Sequence, residues 1–342
     1  MVTKILASLL AWCCDIHPAV VDPVPPAYIT PLRETAPVAG TGDAADDAAI
    51  WLNSENPAAS RILATEKQYG LRVYDLKGVE LQAIAAGRLN NVSLRPLPAG
   101  GEFSHVAAAS NRSLGSISLF GIQPDGSVLW LQAQEVMTSL DPYGLCMYSH
   151  GGQLQVFIND KDGRFQQWAV SADASARLLR EFRVHGQPEG CTADDAEGRL
   201  FFGIEDEGVY VMSADSDGPA QPTLLAAVDG VNLFSDVEGM SLYAMADGSG
   251  YLVVSSQGSN TFAVYNRQPP HALRGLVAIG DNLARGIDGV RDTDGVSVSS
   301  AALGEAFPQG LLVVQDGSNS PEDRQNFKLV DWRELALALG LD

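Results

Sequence analysis

Six segments of this chain repeat one design, in which a polar or acidic residue leads into a short apolar strand. They are DDAAIW (46–51), NNVSLR (90–95), YGLCMY (143–148), PEGCTA (188–193), VEGMSL (237–242) and TDGVSV (293–298). With Asp47, Asn91, Tyr143, Glu189, Glu238 and Asp294 taken as equivalent, the steps are 44, 52, 46, 49 and 56 residues. A second apolar strand follows each: RILATE, HVAAAS, LQVFIN, RLFFGI, YLVVSS and GLLVVQ. A third comes after a Gly- or Asp-bearing turn, as in GLRVYDL, GSISLFGI, RFQQWAV, GVYVMS, NTFAVYN and FKLVDW. Short runs rich in Val, Ile, Leu and aromatics, separated by dipeptides such as Asp125–Gly126 and Asp162–Gly163, are the signature of strands in hairpins.

A repeat of this length holding about four strands is the blade of a propeller, since one such sheet cannot bury both faces until neighbours close around it. The expected fold is therefore all-β: a six-bladed β-propeller of mostly four-stranded antiparallel blades over residues 43–342. A doubled β-sandwich fits six even copies badly, and a solenoid would need shorter rungs or helical partners. The end, DWRELALALG (331–340), predicts a short helix with Asp331 as N-cap and Glu334 as its capping-box partner.

Residues 1–42 stand apart. The apolar run from Ile5 to Cys14, with Lys4 before it, is too short to span a bilayer and reads as a signal h-region. Trp12 and Cys13 stand where a cleavage site wants small residues, so a lipid-anchored cysteine and a mis-assigned or truncated start are the rival readings. Export to the medium, periplasm or cell envelope is the resulting expectation. Residues 15–42, rich in Pro and Ala, read as a linker or edge segment. Cys146 and Cys191 read as small buried hydrophobes, or as one bridge if their strands adjoin. No zinc spacing is present.

Lys plus Arg number 22 against 42 for Asp plus Glu, a formal charge of −20. Such a surface repels nucleic acid and anionic membrane, and a highly phosphorylated ligand would need local bases, a divalent cation or both. The fold predicts where those lie. First strands line the central channel of a propeller, so their entrances, with Asp46, Asp236, Asp288 and Asp292 as neighbours, converge on one face. Crowded carboxylates must take protons or a cation. All-oxygen ligands on irregular loops select calcium. Lys67, Arg112 and Lys161 each follow a second strand and are expected at the same mouth. No G-x-S-x-G elbow, P-loop or phosphatase cysteine motif occurs, and His105, His150, His185 and His271 are scattered. Chemistry, if present, is expected to use metal-activated water.

DDAAIW, YGLRVYDLKG, GRLNNVSLR, AAASNRS, PEGCTADD, GIEDEGVY, DVEGMSLYAMADGSGYLVVSSQGSN, DTDGV, FPQGLLVVQDG and NFKLVDW together resemble the β-propeller phytases, the calcium-dependent alkaline phytases of bacteria. The resemblance runs from about Asp43 to Leu335. It implies a phosphoric monoester hydrolase of the 3-phytase type. Several calcium ions would serve it, and phosphate would leave the calcium complex of myo-inositol hexakisphosphate. It further implies two adjacent phosphate sites, one for cleavage and one for affinity. Carried over by residue, it implies a catalytic set of Glu189, Tyr143, Lys67, Arg112, Glu205 and Glu238. The implied phosphate-binding bases are Lys67, Arg112 and Lys161. Calcium would be held by Glu189, Glu205, Asp236 and Glu238 at the active site, by Asp47 and the carbonyls near Ala48 and Val92 at a structural site, and by Asp288. Asp294 lies in the loop DGVRDTDG, and Gln257, Asn260 and Asp316 lie at the tops of later blades.

Three positions depart from the family. Ala48 stands where Pro is frequent, Gln68 replaces a second lysine, and Ile204 precedes Glu205 where a relative has two glutamates. A monomer without a membrane span is expected. The alternatives from other classes are a non-catalytic calcium-stabilised propeller that binds polyphosphate or protein, and a sugar-lactone hydrolase.

Overall fold

The computed structural model describes residues 22–171, 175–321 and 323–341. The signal segment and Cys13 and Cys14 lie outside the described residues. The described residues form six sheets. Blade 1 runs outward from its inner strand, Ala45–Trp51, through Arg61–Glu66 and Gly70–Asp75 to Glu80–Ala85. The inner strands of blades 2 to 6 are Leu89–Pro96, Leu145–His150, Pro188–Asp194, Val237–Ala244 and Val296–Ser299. The six-bladed propeller expected from the repeats is the observed fold.

Period-two alternation explains why the sheets stack. Successive side chains of a strand point to opposite faces, and in a propeller both faces are buried. In Arg61–Glu66, Ile62 and Ala64 pack with Leu311, Val313 and Phe327 of blade 6, while Leu63 packs with Leu89, Ala107 and Phe120 of blade 2. Each of the six blade junctions has one such cluster.

The ring closes with chain from ahead of blade 1. Arg33–Glu34 pairs with Asn326–Asp331 as the outermost strand of blade 6, and Ala27–Ile29 adds a parallel strand to Leu273–Ile279 of blade 5. The sequence reading starts the propeller at residue 43; the sheets begin earlier. These two- and three-residue strands are too short to show alternation, so composition alone marks the segment as an edge. The C-terminal helix, Trp332–Leu339, starts at Asp331, whose carboxylate accepts the Arg333 N–H at 3.1 Å. Trp332 stacks on Tyr243 at 3.8 Å between ring centroids.

Cys146 and Cys191 form a disulfide that joins the inner strands of blades 3 and 4. Of the two sequence readings, adjacency of the strands selects the bridge over free buried thiols. Closing a loop of this length removes about 4 kcal/mol of denatured-state entropy in the chain-entropy description.

Candidate functional site

Four inner strands, those of blades 1, 2, 4 and 5, carry a bulge at the same place. Pairing jumps from Ala45 to Ala48, from Leu89 to Val92, from Pro188 to Cys191 and from Val237 to Met240. The skipped pairs are Asp46–Asp47, Asn90–Asn91, Glu189–Gly190 and Glu238–Gly239. A bulge re-aims side chains at a strand end. Here it turns a repeated position toward the mouth of the central channel. The same register continues through Tyr143–Gly144 and Asp294–Gly295.

The structurally equivalent ring is therefore Asp46, Asn90, Tyr143, Glu189, Glu238 and Asp294. The sequence alignment is one residue late in blades 1 and 2, where the doublets DD and NN hide the frame. The glycine in the next position of the other four blades is the signal that fixes it. Those glycines lie where neighbouring blades nearly touch. A Cβ on Gly190 would stand 2.3 Å from the Glu238 carbonyl oxygen, and one on Gly295 would stand 2.5 Å from Asp47 Cα. Backbone bonds link the same strands, from Gly239 N to Asp294 O at 3.1 Å and from Gly295 N to Asp46 O at 2.9 Å.

Around this ring the carboxylates crowd. Oxygen atoms of Glu189, Glu205 and Glu238 lie within 4.8 Å of one another. The Tyr143 hydroxyl donates to Glu189 at 2.5 Å and to Glu205 at 3.3 Å, and Asn90 Nδ2 donates to the other Glu189 oxygen at 2.9 Å. Gln187 donates to Glu205. Burial pushes Glu238 well up, reinforced by Glu189, and burial likewise raises Glu205 and Asp236. Burial pushes Asp294 up to about 6 despite the opposing Lys67 charge.

Asp46 is 1% exposed, and neither of its carboxylate oxygens has a hydrogen-bond partner among the described residues. Lys67 Nζ lies 3.0 Å from one of them, a charge contact without hydrogen-bond geometry. Burial raises Asp46 well above the carboxylate range, and Glu189, Asp294 and Asp47 add to that against Lys67. An orphaned buried carboxylate in a cluster of acids is what an oxygen-binding cation would satisfy.

The three expected bases divide. Lys67 reaches three carboxylates, Asp43 at 2.6 Å, Asp294 at 2.8 Å and Asp46 at 3.0 Å. Burial pulls its ammonium down, but Asp46, Asp294 and Asp43 outweigh burial, so it stays protonated. Arg112 and Lys161 instead flank the Tyr143 ring, with Cζ and Nζ at 5.8 Å and 4.1 Å from its centroid. Lys161 is exposed and Arg112 half-buried.

Asp47 sits just below the ring. Its Oδ2 accepts Val92 N at 3.1 Å, and Thr65 Oγ1 accepts Asp47 N at 3.0 Å. Burial pushes its carboxyl up to about 7, against the backbone N–H groups of Val92 and Ala48 and the Asn91 side chain. Ala48 and Val92 follow the bulges as strand residues and line the central channel of about 380 Å³. Asp288 is elsewhere: it binds Lys328 Nζ at 2.5 Å and Ser320 N at 2.6 Å, in a cluster with Glu34 and Asp316. Gln257 Nε2 donates to Asp294 at 2.6 Å, and Asn260 Oδ1 accepts Asp292 N at 2.7 Å.

The family model described as Phytase matches residues 1–342. A 3-phytase of Bacillus subtilis (strain 168) is 37% identical over 328 residues, covering 91% of this chain and 85% of that protein. Among solved structures, virginiamycin B lyase from Staphylococcus aureus is 11% identical with a TM-score of 0.49, covering 86% of this chain and 97% of that one. BBS1N, solved in complex with ARL6DN, is 8% identical with a TM-score of 0.49, covering 79% and 74%. Likenesses at that level carry nothing about activity. The match over the full chain and the similarity to the Bacillus enzyme place this protein in the phytase family.

Proposed function

We propose that this chain releases phosphate from phytate at the acidic ring, with calcium held by its carboxylates. As a family member it is a phosphoric monoester hydrolase of the 3-phytase type. The observation that carries the site is the orphaned, buried Asp46 beside the mutually close oxygens of Glu189, Glu205 and Glu238. The donors are all oxygen, which suits a hard, irregularly coordinated cation such as calcium.

Asp46, Glu189, Glu205, Asp236, Glu238 and Asp294 would hold the ions at the mouth, and Asp47 with the carbonyls near Ala48 and Val92 would serve a site below it. When bound, calcium supplies a Lewis acid and lowers the pKa of water beside it. The chain's own groups do the positioning. Tyr143 donates to Glu189 and Glu205 and fixes their orientation. Lys67 brings a permanent positive charge to the blade 1 side of the mouth, and Arg112 and Lys161 bring two more beside Tyr143. Phosphoryl transfer needs such charges where negative charge accumulates on the transferring group. Two groups of bases suit a substrate with neighbouring phosphates, one cleaved and one gripped.

The disulfide supports an oxidising compartment and so export. The net charge of −20 supports the absence of a nucleic-acid partner, and a monomer is the assembly we propose. Among the described residues no helix is long and apolar enough to cross a membrane. Phosphate release from phytate, measured with calcium and again after chelation, tests the reading. Release should stop with chelator and return with added calcium. Release that ignores the chelator rules out the calcium site.

A further inference from the structure

We propose that the Cys146–Cys191 disulfide is a positioning element of the phosphate site, holding the inner strands of blades 3 and 4 so that the Tyr143 hydroxyl stays on Glu189. The inference rests on the function proposed above. Cys146 lies three residues beyond Tyr143 and Cys191 two beyond Glu189, so the bridge sits directly beneath the 2.5 Å contact between them. Cys191 also lines the central channel.

The junction of blades 3 and 4 is held differently from the two junctions of blade 6. Between blades 5 and 6, and between 6 and 1, a backbone N–H at the ring level of one blade donates to a carbonyl of the next. Among the described residues no backbone hydrogen bond joins the inner strands of blades 3 and 4 at that level. The Asn159 side chain bridges them instead, accepting from Gly144 N at 2.9 Å and donating to Glu189 O at 3.0 Å. Lower down, Arg95 of blade 2 spans both strands, donating to Met147 O at 2.7 Å and to Asp195 at 2.7 Å. Asp195 Oδ1 in turn accepts Ser149 N at 3.1 Å. Between these two side-chain bridges the disulfide is the covalent tie. Without it, a shift of one blade against the other would pass straight into the Tyr143–Glu189 distance, and a misplacement near 1 Å is enough to lower turnover substantially.

The double variant Cys146→Ala/Cys191→Ala tests this, assayed where circular dichroism shows wild type and variant both folded. Expected are a fall in kcat of roughly tenfold, little change in KM, and a severalfold weaker calcium dissociation constant by equilibrium dialysis. Tyr143→Phe should cost much less in the double variant than in wild type, because both changes release the same contact. A lower unfolding temperature with kcat and calcium affinity unchanged would make the bridge a stabilising tie only and overturn the proposal.

If the double variant does not fold, folded wild type is treated with dithiothreitol, which gives two electrons and two protons to the bridge and is itself oxidised to a disulfide. Reversible loss of calcium affinity, restored on reoxidation, supports positioning; full retention overturns it. A wild type that binds calcium but releases no phosphate from phytate would refute the function and leave the calcium measurement to decide the role of the bridge.

Discussion

Two lysines in this propeller each hold three carboxylates, and they do different things. Lys328 is fully buried, with Asp288 at 2.5 Å, Glu34 at 2.6 Å and Asp316 at 3.1 Å, and it also donates to Asn319 at 3.0 Å. Its acids are occupied further, Asp288 by Ser320 N and Asp316 Oδ1 by Arg291 N and Ser318 N, although Asp316 Oδ2 has only the charge contact with Lys328. Lys67 stands at the channel mouth with Asp43, Asp46 and Asp294, and Asp43 is 74% exposed. Beside it Asp46 keeps orphaned oxygens, and Glu189, Glu205 and Glu238 gather with no base among them. A base among acids does not mark a site; a buried carboxylate with neither oxygen hydrogen-bonded, as at Asp46, does. The first cluster rivets the N-terminal strand to blade 6. The second stands at the mouth, where the proposed cation and anionic substrate would bind.

The largest expected effect follows from removing the rivet. Lys328→Met strands Asp288, Glu34 and Asp316 without their counter-charge and should cost about 3–5 kcal/mol, read from urea unfolding. Lys67→Met should cost far less stability, because one of its acids is already in water and the mouth admits solvent, while phosphate release falls. Equal destabilisation by the two would erase the distinction.

Next in size is Glu189→Gln, which keeps the shape of the side chain and removes a charge from the ring. Phosphate release should drop by a factor of about 10²–10³, typical of losing an electrostatic group at the reacting centre. The calcium-free protein should unfold at the same temperature or higher, since one member of a repelling group is gone. Parallel loss of activity and stability would assign Glu189 to the fold instead.

Much of this was legible in the sequence because repetition is a periodic signal, and strands such as Arg61–Glu66 and Arg199–Ile204 match the apolar runs to the residue. Glu189, Glu238, Tyr143 and Asp294 were found because each leads into an apolar strand, and the glycine after each, which the close approach of blades requires, keeps the frame. Asp46 and Asn90 were displaced by one because an identical neighbour follows each. Asp288 was grouped with the mouth because its loop is rich in aspartate; its lysine, Lys328, comes 40 residues later in the sequence, a pairing no local pattern encodes. The closing strands at 27–29 and 33–34 were hidden for the same reason, since their partners lie near the other end of the chain.

A third buried charge, at the lower end of the channel, sharpens the contrast because there one base meets one acid. Arg267 grips Asp194 through Nε at 2.7 Å and Nη2 at 2.6 Å, joining blades 5 and 4, and both side chains are buried. Burial pushes the Asp194 carboxyl up, but the Arg267 hydrogen bonds and charge and the Glu197 N–H outweigh it and hold it below the ordinary 3.8. The folded state then binds fewer protons than the unfolded one just below that value. The stabilisation is complete above about pH 4 and is lost as pH falls through the folded pKa. Asp194→Asn keeps one acceptor for the guanidinium, so its cost at neutral pH should be about 2 kcal/mol, less than at Lys328. That difference from wild type should shrink below pH 4 in unfolding curves taken across the acid range. A difference independent of pH would mean that packing of the pair, rather than its charge, does the stabilising, and that balanced and unbalanced clusters cannot be told apart by titration.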